Sequence, residues 1–174
     1  MSNILEVKNL TMHYETIDGD VDAVKNVSFN VKAGESFGIV GESGCGKTSV
    51  AMSLLQLQAE NGKISNGSIL FDGLELVGMS ENDLRKVRWD GISIVFQGAM
   101  NAWNPVVKIG EQIREAMREH SPESSKSQNT LKINELFTMV GLDSSVADRF
   151  PHELSGGMKP VSYTHLTLPT RIFV

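Results

Sequence analysis

The stretch that decides the fold is Ser36 to Thr48, SFGIVGESGCGKT. Its first five residues form a short apolar run of the kind expected for a buried parallel strand. Gly41-Glu42-Ser43-Gly44-Cys45-Gly46-Lys47-Thr48 then fits G-x-x-x-x-G-K-[ST]. At ordinary residue frequencies the pattern arises by chance in well under ~1 in 100 chains of this size. Val50, Ala51, Leu54 and Leu55 follow at helical spacing. Strand, glycine loop and helix in that order make a cradle for phosphate. Glycines let successive N–H groups point inward, and the helix start adds its positive dipole end. Lys47 supplies a point charge for the β- and γ-phosphates, and the Thr48 hydroxyl is placed for Mg²⁺. Cys45 reads as a small spacer. Gly41 to Thr48, with Ser49 beside them, are the expected nucleotide-binding residues.

On the N-terminal side of this stretch, ILEVKNLTMHYE and VDAVKNVSFNVKAGE read as two strands around an Asp18-Gly19-Asp20 turn, an antiparallel layer. Beyond it, GSILFDG reads as a strand. SENDLRKVR reads as a helix with Ser80 at the cap and Asp83 three residues on. ISIVFQ (residues 92–97) is a second strand of buried type. The texture changes from Gly98. IGEQIREAMREH and LKINELFTMVGL are amphipathic helices, with Ile109, Ile113 and Met117 spaced by four, and the Ser-rich SPESSKSQNT between them reads as an exposed loop.

Composition sets limits. The chain of 174 residues is long enough for a real core, and its net charge of −5 argues against general nucleic-acid binding. A single cysteine gives no disulfide framework. No apolar run reaches the ~18 residues of a membrane span, so a membrane role requires partners. The N-terminus has no secretory signal pattern.

A phosphate loop alone fits kinases, GTPases, helicases and transporters. The second glycine motif narrows the choice. Ser155 is a good N-cap residue, and Gly156-Gly157 leave bare N–H groups at a helix start, an anion site. Leu154-Ser155-Gly156-Gly157-Met158, beside the phosphate loop, resembles the signature of ABC-type ATPases. The resemblance covers residues 1–159. It implies an α/β fold: a P-loop NTPase (RecA-like) core, an N-terminal antiparallel β layer and an ABC α-helical subdomain, incomplete here. It divides the chain into a core at 1–97 and a helical subdomain at about 98–159. It assigns Gln97 to the Q-loop, reaching Mg²⁺ and the attacking water, with Lys47 as the other catalytic group. It assigns Tyr14 to stacking on adenine. It places Ser155, Gly156 and Gly157 on the γ-phosphate of ATP held by the opposite subunit.

VFQGAMNAWNPVVKIGEQI and RFPHELSGGMK look like the ATP-binding subunits of dipeptide, oligopeptide and nickel importers, with Asn104-Pro105-Val106 where the ATPase meets its permease. The implied partners are a second ATPase subunit (identical or paralogous), transmembrane permease subunits and, through them, an extracytoplasmic solute-binding protein. No nucleic acid is implied. The implied cofactors are ATP and Mg²⁺, and the implied place is the cytoplasmic face of the membrane, peripheral. A soluble ABC ATPase of DNA repair or translation is the alternative. The first of these carries a long insertion between phosphate loop and signature, and the interval from Gln97 to Leu154 is short.

The chain departs from the family after Lys159. The apolar strand ending in Asp-Glu (Walker B) and the switch histidine are absent from the 174 residues, and His165 is no substitute. The expectation is a fragment that binds ATP weakly and does not hydrolyse it. It also folds poorly, for want of a central strand. VSYTHLTLPT back-translates as GTC TCT TAT ACA CAT CTG ACG CTG CCG ACG. That string looks like a transposase adapter of sequencing libraries, so residues 160–174 are expected to be non-native. The strand-like composition of Ser162–Leu168 suits it to fill the missing strand's gap.

Overall fold

The computed structural model describes residues 2–95, 103–120, 125–154 and 172–173. The chain divides into two units, Met1–Arg88 and Trp89–Val174. In the first, β1 (Asn3–Thr16) and β2 (Gly19–Lys32) form a long antiparallel hairpin. Then come α1 (Lys47–Leu54), β3 (Gly62–Phe71), β4 (Leu74–Glu75) and α2 (Glu81–Asp90), whose last two residues pass the boundary. The sheet order is β2-β1-β3-β4, all antiparallel. This is the expected N-terminal layer, with the hairpin turn where Asp18-Gly19 places it.

β1 shows how a strand keeps one face inward across an irregularity. Its buried residues are Leu5 and Val7, then Leu10 and Met12. The parity changes from odd to even, and a strict period of two forbids that. The change sits at Asn9, where φ is +51° and the register to both neighbours shifts. A bulge absorbs one residue and returns the apolar set to the core face. Ser28 Oγ accepts the Asn9 N–H at 2.8 Å, so the displaced amide keeps a partner.

Residues 36–40 depart from expectation. SFGIV joins no sheet among the described residues, and Phe37, Ile39 and Val40 are exposed. The ring of Phe37 stacks on Phe29 of β2 at 5.0 Å between centroids. A strand needs a neighbour to satisfy its N–H and C=O groups, and a parallel neighbour must arrive from a distant segment. The second expected core strand is likewise short: β5 covers Ile92–Ser93 only, and it pairs in parallel with β6 (Ile172–Phe173). Ile94 and Val95 carry no strand, and Phe96 and Ser162–Leu168 lie outside the described residues.

α2 begins as read. The Asp83 N–H bonds Ser80 Oγ at 3.3 Å, and Ser80 Oγ donates to Asp83 Oδ2 at 2.7 Å. That hydrogen bond, then Lys86, holds the Asp83 carboxyl below the usual aspartate value. Arg88 was not singled out from sequence. Its side chain ties the end of α1 to the start of α2. Nε and Nη2 donate to Leu55 O (2.7 Å) and Gln56 O (2.9 Å), and Nη1 to Glu81 Oε1 (2.7 Å).

The second unit holds α3 (Ile109–His120) and α4 (Lys126–Met139). Ile109, Ile113, Ile133, Phe137, Val146 and Leu154 form its apolar core, with Met117 packed against it. The spacing of four along α3 therefore marks the buried face. α4 starts inside the stretch read as an exposed loop. Ser125 and Gln128 form a reciprocal capping box: the Gln128 N–H bonds Ser125 Oγ (3.3 Å) and the Ser125 N–H bonds Gln128 Oε1 (2.9 Å). It ends at Gly141, φ +70°, where the Gly141 and Leu142 N–H groups bond Thr138 O and Phe137 O. That is a Schellman closure, and its left-handed residue favours glycine. Short 3₁₀ turns at Ser144–Asp148 and Pro151–Glu153 follow.

Candidate functional site

The phosphate loop sits against the N-terminal sheet. A cavity of about 470 Å³ is lined by Tyr14, Val21, Asp22, Ala23 and the run Gly44–Ser49. Tyr14 and Val21 are register partners in the hairpin, so the end of the sheet supplies one wall. The start of α1 supplies the other. Tyr14 Oη lies 3.2 Å from Ser49 Oγ and joins them.

Gly46 explains why the loop can approach so closely. Its φ is +90°, and a Cβ there would lie 2.2 Å from the Ala23 carbonyl oxygen. No side chain fits, so glycine is required on both counts. Gly46 is also the N-cap of α1 and offers no side-chain cap. The N–H groups of Lys47, Thr48 and Ser49 have no intrahelical acceptor, and all three residues line the cavity. Val50 N–H is the first to bond back, to Gly46 O at 2.9 Å. Uncapped amides and a helix dipole at one wall can attract an anion through the backbone alone.

Lys47 is tethered within the loop. Its ammonium donates to Gly41 O at 2.8 Å, to Glu42 O at 2.6 Å and more weakly to Cys45 Sγ at 3.5 Å. The tether keeps the cation at the cavity wall. Gly41, Glu42 and Ser43, read as nucleotide-binding residues, are not among the lining residues; Gly41 and Glu42 serve as carbonyl acceptors. Cys45 is exposed and lines the cavity. Thr48 is exposed there too.

Among the described residues no group of three or more His, Cys, Asp or Glu side chains could hold a metal. A lone threonine hydroxyl beside a phosphate cradle fits an ion that keeps water and takes phosphate oxygens as ligands, as Mg²⁺ does.

Gln97 and Ser155-Gly156-Gly157 lie outside the described residues. The approach to the latter is described. Leu154 is buried in the core of the second unit, and the Phe150 N–H bonds Glu153 Oε2 at 2.7 Å. Asn104-Pro105-Val106 is held by Gln112. Gln112 Oε1 accepts the Asn104 N–H (2.9 Å), and Nε2 donates to Asn104 O (3.0 Å) and Val107 O (2.8 Å). Val106 is left 77% exposed. Sequence reading missed Val21, Asp22 and Ala23 as cavity walls. The hairpin register opposite Tyr14 was the available signal.

The cradle, the adjoining sheet and the helical segment define an ATP-binding-cassette protein. The family model described as ABC transporter matches residues 24–162, and the chain belongs to that family. It is 40% identical over 158 residues to the dipeptide transport ATP-binding protein DppD of Lactococcus lactis subsp. cremoris, covering 90% of this chain and 45% of that one. It is 40% identical over 167 residues to the oligopeptide transport ATP-binding protein OppD of Haemophilus influenzae, covering 91% and 49%. The chain thus spans about half the length of these relatives. Its fold matches a dimeric post-hydrolysis state of the ATP-binding cassette MJ0796 bound to ADP and Pi. The TM-score is 0.78 at 27% identity, over 94% of this chain and 68% of that one. Among the described residues, no helix is long and apolar enough to cross a membrane.

Proposed function

We propose that the chain is the nucleotide-binding part of an ATP-hydrolysing subunit that energises an ABC importer for peptides or nickel. The observation that carries this is the cavity itself. One wall is an aromatic at the sheet's end, and the other is the phosphate loop with its lysine and three uncapped amides. An adenine face, a triphosphate and a metal-bound oxygen need those groups in that order. The peptide-transport names of the relatives support peptides as the substrate class.

In this reading Tyr14 stacks on the base. The loop amides and Lys47 hold the phosphates, and Thr48 with Gln97 serves Mg²⁺, which neutralises charge on the β- and γ-oxygens when bound. Gly41 to Ser49 bind from one subunit, and Ser155, Gly156 and Gly157 act on the nucleotide of a second ATPase subunit, identical or paralogous. The loop at Asn104–Val106 faces the permease, which in turn meets an extracytoplasmic solute-binding protein. The working place is the cytoplasmic face of the membrane, peripheral.

The division into a core at 1–97, a helical subdomain at about 98–159 and a foreign stretch at 160–174 belongs to the same proposal. Codons 160–170 in the gene test that last part. The adapter string in frame supports it, and any other codons overturn it. The transport role is tested by purification from detergent-solubilised membranes with the neighbouring permease subunits. Co-elution with a permease supports the reading. Retention on DNA or ribosomes instead would favour the soluble alternative.

A further inference from the structure

The second unit carries a separate concave site. A pocket of about 220 Å³ is lined by Glu111, Arg114 and Arg118 of α3 and by Lys126 and Asn129 of α4. Three cations face one carboxylate, which leaves two positive charges in a chain whose net charge is −5. The carboxylate is already engaged: Arg114 Nη2 donates to Glu111 Oε1 at 2.7 Å. Asn129, 4% exposed, adds a buried amide to the wall. Lys126 is the first residue of α4, so the positive end of that helix dipole adds to the same field.

We propose that this pocket binds a phosphate dianion, free or as a small monoester, at a second site distinct from the phosphate loop. Charge decides between oxyanions. A phosphate carries close to two negative charges and three acceptor oxygens, which meets the surplus charge and the buried amide together. A carboxylate leaves one positive charge over and has fewer oxygens to offer.

The test uses the full 174-residue chain carrying Lys47→Ala, which disables the phosphate loop. Inorganic phosphate and glycerol phosphate are titrated while the backbone amides of Lys126 and Ser127, the Asn129 side-chain amide and the Arg114 Nε–H are followed by NMR. Saturable shifts at these groups are expected. A double variant, Arg118→Gln with Lys126→Gln, alters only exposed residues and should weaken binding at least tenfold. Its unchanged spectral dispersion separates loss of the site from loss of the fold. Tighter binding of the free ion or of the ester identifies the source. Three results would overturn the proposal: no saturable shift at millimolar phosphate, shifts that survive in the double variant, or acetate saturating at the same concentration.

Discussion

β1 and residues 36–40 both read as strands in the sequence, and they reach opposite ends. β1 is paired on both sides and buries Leu5, Val7, Leu10 and Met12. SFGIV joins no described sheet and exposes Phe37, Ile39 and Val40. Composition does not separate them; the distance to a partner does. The first neighbour of β1, β2, is one two-residue turn away, so the loop that starts its pairing is small and cheap, and β3 adds to a hairpin already formed. A parallel strand must wait for a crossover, and its reward comes only after a long loop is closed. The phosphate loop stands between these regimes. It hangs from the strandless segment but leans on the sheet, through Gly46 against Ala23 and Tyr14 against Ser49.

The contrast should be largest in hydrogen exchange. Interior amides of β1 are expected to exchange roughly a thousandfold or more slower than those of Gly38 to Val40, because the latter open without global unfolding. Equal rates would break the comparison. Truncation should show the same split in stability. Leu10→Ala removes a fully buried side chain and should cost about 2–5 kcal/mol. Ile39→Ala, at 44% exposure, should cost less than about 1 kcal/mol. Paired denaturant melts measure both, and a large Ile39 effect would show that the segment is packed.

The smallest effect is electrostatic. Hydrogen bonds from Lys8, Ser80, Arg114 and Ser145 lead in holding Glu6, Asp83, Glu111 and Asp143 below their usual pKa values. Depressed carboxylates stabilise the folded chain above the ordinary carboxylate range. They lose that contribution as pH falls through the folded values. Melts at pH 6 and pH 3 should show a modest acid loss, part of which vanishes in Asp83→Asn. An unchanged pH dependence in that variant would remove Asp83 from the account.

What could be read in advance follows the same rule of distance. The helix start at Lys47, the Asp18-Gly19 hairpin and the Ile109–Ile113–Met117 face are local patterns, and each is where the residues placed it. The start of α4 was local too. Ser125-x-x-Gln128 is a capping box, hidden because the surrounding serines read as loop. Ser36–Val40 and Ile92–Phe96 differ. Their composition states what kind of partner they want and not whether one pairs with them. The cavity walls Val21 to Ala23 became visible only once the hairpin register set them opposite Tyr14 and its neighbours.

The central claim is that the loop and the sheet's end form one nucleotide site. Equilibrium titration of labelled ATP with Mg²⁺ into residues 1–174, alongside Lys47→Ala and Tyr14→Ala, tests it most directly. The account predicts saturable binding in the parent chain. Lys47→Ala should weaken it about tenfold or more, as expected when a charge-assisted hydrogen bond to phosphate is lost, with a smaller loss in Tyr14→Ala. Identical affinity in all three proteins would contradict the account.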